Sequence, residues 1–333
     1  MSDNRTMLCE SADGLFVDAV KLPFAQGWAA IGEAGFATLL IPEADGGFGG
    51  DIGDLLAVVR LAGIHALALP IGETVIAAGL IARDGLAVPD GPLSFAARAE
   101  GRADDGNFTG TLHRVPWGGD VAQVIAVIDG MLFLLNTGDA EVERGHNPAG
   151  EPRDTLTFRD AAAASVPSTA SLDALGALLR VGQIAGALDA ALALSIDHAN
   201  QRQQFGKPLS KFQAVQQNLA ILAVEAAAVN SAGAAAAAVI DAGTTDDSGA
   251  FEIAAAKLRA NMAAGTGSAI AHQVHGAIGF TAEYPLHRLT RRMMGWRSEF
   301  GNDRYWAEKL GSIAVRAGGA GLWEQITARS DID

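Results

Sequence analysis

The chain has 333 residues, 49% apolar and 19% charged, with 38 acidic against 24 basic side chains and a net charge of −14. That length exceeds one ordinary core and implies two or three modules, and the apolar share excludes a mainly disordered chain. The acidic balance argues against nucleic acid or an anionic membrane as a general partner, and the single Cys9 excludes an intramolecular disulfide and a cysteine-based metal cluster.

The polar start, Met1 to Thr6, lacks a secretory apolar core, and no uninterrupted apolar run approaches membrane-spanning length, so a cytoplasmic protein without membrane insertion is expected. Residues 1–90 read as a helical domain. Leu15, Val17, Val20 and Leu22 open it, Trp28 to Phe36 continues it, and helix resumes over Ile52 to Leu69 and Ile71 to Ile81. The stretch Leu39 to Asp51 carries four glycines, but neither a preceding strand nor their spacing makes a dinucleotide fingerprint, so an ordered connection is expected.

The turn-rich Val88-Pro-Asp-Gly-Pro92 marks a boundary, and residues 91–165 read as a small β domain. Val121 to Ile128 and Met131 to Leu135 flank Asp129-Gly130, a strong hairpin signal, with further strands at Phe108 to Leu112 and Leu156 to Phe158.

Residues 170–330 read as a bundle of four long antiparallel helices. Leu188, Leu192 and Ile196 mark one apolar stripe; Val215, Leu219, Leu222, Ala226 and Val229 mark the next. They meet at Phe205-Gly206-Lys207-Pro208, where Gly206 suits a left-handed ending, Pro208 cannot continue the first helix and Ser210 is placed to cap the second. Arg202, Lys207 and Lys211 make this corner suitable for an anion. Asp241 to Gly249 reads as a loop, with Ser248 capping a helix over 250–264 that Gly265-Thr-Gly267 loosens; the last helix starts near Asn302 or Asp303 and runs to about Arg316. The fold class is mainly α with a small β domain.

Arg202-Gln-Gln-Phe-Gly-Lys-Pro-Leu, followed by Lys211-Phe-Gln-Ala-Val-Gln, resembles the signature of the acyl-CoA dehydrogenase family. Gln273-Val-His-Gly-Ala-Ile-Gly-Phe-Thr-Ala-Glu-Tyr-Pro285 is similar to that family's C-terminal flavin-contacting motif, and Pro42-Glu-Ala-Asp-Gly-Gly47 resembles its N-terminal loop. The resemblance implies an N-terminal helical domain, a middle β domain and a C-terminal four-helix bundle. It also implies FAD, an acyl-CoA thioester substrate, an electron acceptor for the reduced flavin and a homo- or hetero-oligomer. Arg202 matches the arginine that meets the FAD pyrophosphate, often across a subunit boundary; Phe205, Gln213, Gln273 and Gly276 match other cofactor contacts. Because the two motifs lie on different helices and resemble elements that meet FAD from opposite subunits, the flavin site is expected to span two subunits. Trp117 falls near the flavin-adjacent strand, where it either packs on the ring or fills a core.

Three departures matter. Phe95 to Glu100 stands where the family's Pro-Gly-Ser loop is usual, and Arg291-Arg292 replaces Arg-Asp, within a basic cluster His287, Arg288, Arg291, Arg292 and Arg297 that implies an anionic ligand or partner. The family's catalytic glutamate position falls on Phe300, and its second location falls near Gly176, with Ala177 in place of a substrate-binding arginine and Arg180 one turn later. Glu299 is then the candidate base, reaching the substrate through the slack of Gly301, or pairing with Arg297 or Arg304 in solvent; otherwise this subunit supplies no base. The leading function is FAD-dependent α,β-dehydrogenation of an acyl-CoA. The alternatives are a partner subunit without catalysis that completes another chain's flavin site, and a flavin monooxygenase of the same fold.

Overall fold

The computed structural model describes residues 3–104, 106–243 and 247–328. Four helices come first: α1 (Asp3–Ala19), α2 (Phe24–Glu33), α3 (Ile52–Ile64) and α4 (Ile71–Arg83). The glycine-rich stretch before α3 is an ordered connection: Asp51 caps the helix by accepting from the Asp54 amide, while the Asp54 carboxylate accepts from the Asp51 amide.

Seven strands follow, β1 (Leu93–Ala96), β2 (Arg98–Asp104), β3 (Asn107–Pro116), β4 (Gln123–Ile128), β5 (Met131–Asn136), β6 (Ala140–Glu143) and β7 (Arg153–Pro167). They form one sheet in the order β1-β4-β5-β7-β3-β2, with β6 also on β7 and β1 parallel to β4. β4 and β5 are the hairpin expected from Asp129-Gly130, whose φ angles of 51° and 76° match the twist of the strands. β7 is far longer than its apolar signal, because its second half pairs β5 and its first half pairs β3 and β6, which curls the sheet around Phe108, Phe133 and Phe158.

The C-terminal part holds α5 (Leu172–Gln201), α6 (Gln213–Asp241), α7 (Asp247–His275), α8 (Leu286–Trp296) and α9 (Asp303–Ala328), with a two-residue hairpin, β8 (Gln203–Gln204) and β9 (Lys207–Pro208), between α5 and α6. Residues 244–246 of the expected interhelical loop, and the Ser248 side chain, lie outside the described residues. Gly265-Thr-Gly267 does not loosen α7, which is continuous: the bare Cα of Gly267 faces the Leu188 side chain and lets α5 approach. α9 runs past Arg316 to Ala328 with a break at Gly318, φ 69°. α5 and α6 are long and apolar enough to cross a membrane by length and composition; α5 is largely buried in the bundle, whereas α6 is largely exposed.

Three glycines set the crossing of α3 and α5. A Cβ at Gly186 would overlap the Arg60 carbonyl, one at Gly63 would overlap the Gln183 carbonyl, and one at Gly182 would press on Val59. The helix backbones touch, so the neighbour that must give is not a flexible side chain. Gly186→Ala is expected to cost about 3 kcal/mol or more of stability, at or above the usual overpacking range, read as a lower denaturation midpoint.

Candidate functional site

The basic corner closes on itself. The Arg202 amide donates to the His198 carbonyl at 2.9 Å, and the Leu209 amide donates to the Arg202 carbonyl at 2.9 Å. Phe205 and Gly206 take left-handed φ angles of 52° and 79° at the hairpin tip, as the glycine signal implied for one of them. That geometry leaves Phe205 90% exposed, edge-to-face on Phe212 at 6.2 Å, while the Lys207 ammonium sits 4.3 Å from the Phe212 ring centre. Ser210 does not cap α6: a short 3-10 turn, Leu209–Lys211, intervenes, and the Ser210 carbonyl accepts from Gln216 instead. Arg202, the residue that follows the last turn of α5, and Gln213, first residue of α6, are exposed.

The second motif meets this corner within the same chain. α7 ends at His275, whose ring stacks on His198 at 4.6 Å and whose Nε2 lies 3.1 Å from the Tyr284 hydroxyl. Burial holds both imidazoles below their ordinary pKa, so they stack as neutral rings at pH 7. Gly276 follows with φ 64° and no heavy atom within 4 Å of where a Cβ would be, and Gln273 is exposed. Arg202, Phe205, Gln213, Gln273 and Gly276 therefore share one open end of the bundle. The two motifs thus lie side by side within one chain. A guanidinium with no ion-pair partner among the described residues, an exposed ring and a bare glycine backbone fit the diphosphate and adenine side of FAD.

Glu299 is elsewhere. Its partner Arg180 stands on the third turn of α5, twenty-two positions before Arg202, or about 33 Å at 1.5 Å per residue. The carboxylate is buried and points neither to Arg297, which pairs Asp303, nor to Arg304, which pairs Glu308. It accepts from Arg153 Nε at 2.9 Å and Nη2 at 3.0 Å, from Arg180 Nε at 2.7 Å and from Asn147 Nδ2 at 3.0 Å. The row extends both ways: Arg180 Nη2 donates to Glu73 Oε1 at 2.9 Å, Arg153 Nη2 to Glu151 Oε2 at 3.0 Å, and Arg292 Nε to Glu151 Oε1 at 3.0 Å. Three carboxylates and three guanidiniums alternate, joining α4, α5, the turn before α9, the β domain and α8. Burial alone would push the Glu299 carboxyl up, but the two guanidiniums outweigh it and hold it well below the usual carboxylate range. A carboxylate so held is a poor proton acceptor near neutral pH, which argues against Glu299 as the base.

Phe300 occupies the neighbouring space. At φ 50° its ring lies over bare Gly176, 5.6 Å from Phe95 and 5.3 Å from the Arg180 guanidinium carbon. The pocket it closes, between β domain and bundle, is about 160 Å³ and is lined by Ala97, Arg98, Arg114, Pro116, Met294 and Ser298 among others. That is below the range of ordinary small-molecule sites. Trp117 is absent from its lining: the indole is buried against Phe24 of α2 at 5.6 Å, the core reading.

Residues 174–312 match the family model of the acyl-CoA dehydrogenase C-terminal domain. Acyl-CoA dehydrogenase IpdE2 of Mycobacterium tuberculosis is 31% identical over 268 residues, covering 79% of this chain and 78% of that one. The chain belongs to the acyl-CoA dehydrogenase family. This places it among flavin-dependent oxidoreductases that act on acyl-CoA. The same fold recurs in a steroid ACAD, the Tcur3481-Tcur3483 G363A variant, with TM-score 0.86, 24% identity and coverage of 96% of this chain and 99% of that one. It recurs too in the ChsE4-ChsE5 complex of M. tuberculosis, with TM-score 0.85, 23% identity and coverage of 94% and 97%.

Sequence reasoning missed the rest of the acyl-CoA dehydrogenase's buried ladder, Glu73, Asn147, Glu151 and Arg153, because its pairs are joined only by tertiary folding. It also missed Lys257, which is buried and donates to Asn261 Oδ1 at 2.6 Å and to the carbonyls of Trp296, Arg297 and Gly301 at 3.2, 3.3 and 3.2 Å, pinning the turn that presents Glu299 and Phe300. Burial lowers its pKa to about 7. An unfolded lysine titrates near 10.4, so the folded state binds fewer protons between these values and stability rises with pH across that window. Lys257→Met is expected to flatten the rise, seen in denaturant midpoints measured from pH 7 to about 10.

Proposed function

We propose that this chain works as one subunit of an FAD-dependent acyl-CoA dehydrogenase, completing a flavin site whose ring pocket and proton-accepting base belong to a different subunit. The observation that carries the reading is the pairing of Glu299 with Arg153 and Arg180 while Phe300 fills the neighbouring cleft. FAD, when bound, accepts the hydride from the β-carbon of the thioester. Arg202 would meet its diphosphate, Phe205 would lie against its adenine side, Gly276 would let it approach backbone, and Gln213 and Gln273 would donate amide hydrogens. Of the carboxylates that line this chain's cleft, Glu299 is held by Arg153 and Arg180, and Asp173 accepts from the Tyr305 hydroxyl at 2.8 Å.

The heteromeric form is supported by the ChsE4-ChsE5 complex among the structures of the same fold, and a bulky ring-bearing CoA thioester by the steroid ACAD. The test uses the chain purified alone and with an acyl-CoA dehydrogenase homologue encoded beside it, against a panel of acyl-CoAs with a dye acceptor. Dehydrogenation by the pair and none by the chain alone is expected. Full activity of the isolated chain would refute the division of labour.

A further inference from the structure

We infer that the basic face of α8 forms a second anion site, built for a phosphomonoester or diphosphate dianion. The cavity, about 300 Å³, lies where α8 meets the end of α3 and the loop before β7; His65, Ala149, His287, Arg288, Arg291 and Arg292 line it. It shares no lining residue with the inter-domain pocket and contains none of the five flavin-motif residues, so it stands independently of the subunit assignment.

Its charges are unbalanced in a chain of net charge −14. Arg292 pairs Glu151, which Arg153 also claims. Arg291 donates its Nε to the Pro148 carbonyl at 2.9 Å, an anchor that fixes the guanidinium without neutralising it. Neither Arg288 nor Arg291 meets a carboxylate among the described residues, which leaves two positive charges side by side. His65 is paired to Asp13 at 2.6 Å. The Nε2 of His287, on the same wall, is buried and has no hydrogen-bond partner among the described residues. Ala66, also on the wall, holds a left-handed φ of 51° with a side chain that disfavours it, the kind of local strain that gathers at ligand sites.

Two adjacent guanidiniums, one anchored and neither facing a carboxylate among the described residues, offer more N–H donors than a carboxylate has oxygens. A tetrahedral dianion matches both the donors and the charge. The volume lies at the small end of ligand sites, enough for a diphosphate or a short phosphomonoester.

The test is calorimetric titration of the full chain with inorganic pyrophosphate and, separately, glycerol 3-phosphate, at low and at about 0.15 M salt. Binding with Kd below about 1 mM at low salt is expected, weakened at least about tenfold by Arg288→Gln and again by Arg291→Gln. Arg304→Gln, an exposed site elsewhere, should leave it unchanged. The tighter of the two ligands identifies the class, diphosphate or monoester. Absence of binding to about 10 mM, or equal weakening by Arg304→Gln, would overturn the site. So would binding to the isolated chain that vanishes in the assembled complex, which would make the basic face a contact for an acidic partner surface. None of these readings depends on FAD.

Discussion

Glu299→Gln is expected to destabilise the fold by about 3–5 kcal/mol, because it removes the central carboxylate of a buried row and leaves Arg153 and Arg180 facing one another with less than their charge in partners. The value should fall toward the lower end, since Arg153 keeps Glu151 and Arg180 keeps Glu73. A surface glutamate would cost within about 0.5 kcal/mol, so equilibrium denaturation separates the two situations without ambiguity. The pH dependence carries the same signature. The folded carboxyl lies below its unfolded value, so its contribution is fully present above the ordinary glutamate pKa and is lost as pH falls below it. The gap between wild type and variant should therefore be constant above about pH 4.3 and shrink as pH falls below it. A gap that stays unchanged into acid would show that Glu299 is not the hub of the row.

The second large effect concerns the open end of the bundle. Arg202→Ala, made in the assembled enzyme, is expected to lose a charge-assisted contact worth about 1.5–3 kcal/mol and to weaken FAD retention by one to two orders of magnitude. Arg202 is exposed at the end of α5, so the folded chain should tolerate the change. FAD content after gel filtration, with the denaturation midpoint of the same sample, distinguishes lost cofactor from lost fold. Unchanged FAD content would remove the corner from the flavin site.

What was legible in the sequence was local. The Asp129-Gly130 hairpin, the left-handed Gly206 and the long apolar stripes of α5 and α6 each depend on residues a few positions apart. The motif corner was legible for the same reason, since Arg202, Phe205 and Gln213 fall within one short turn. The charged core was not. Arg153 and Glu299 are 146 positions apart, Arg180 and Glu73 107 apart, and on a one-dimensional reading each looks like a surface charge or a solitary candidate base. Nor did the helix crossing announce itself, because Gly63, Gly182 and Gly186 acquire meaning only once α3 and α5 touch. The choice of Glu299 as candidate base follows from this. A glutamate one residue from an expected position is a reasonable candidate until two distant arginines close on it, and nothing local marks them.

The measurement that bears most directly on the division of labour is anaerobic flavin reduction by an acyl-CoA in the assembled enzyme carrying Glu299→Gln in this chain. It should be read at low temperature, where the destabilised subunit stays folded, and normalised to bound FAD. If Glu299 were the base, the rate would fall by about a hundredfold or more. With the base in the partner subunit, the rate per flavin should stay within a few-fold of wild type; a hundredfold loss at unchanged FAD content would contradict the account and return Glu299 to the reaction.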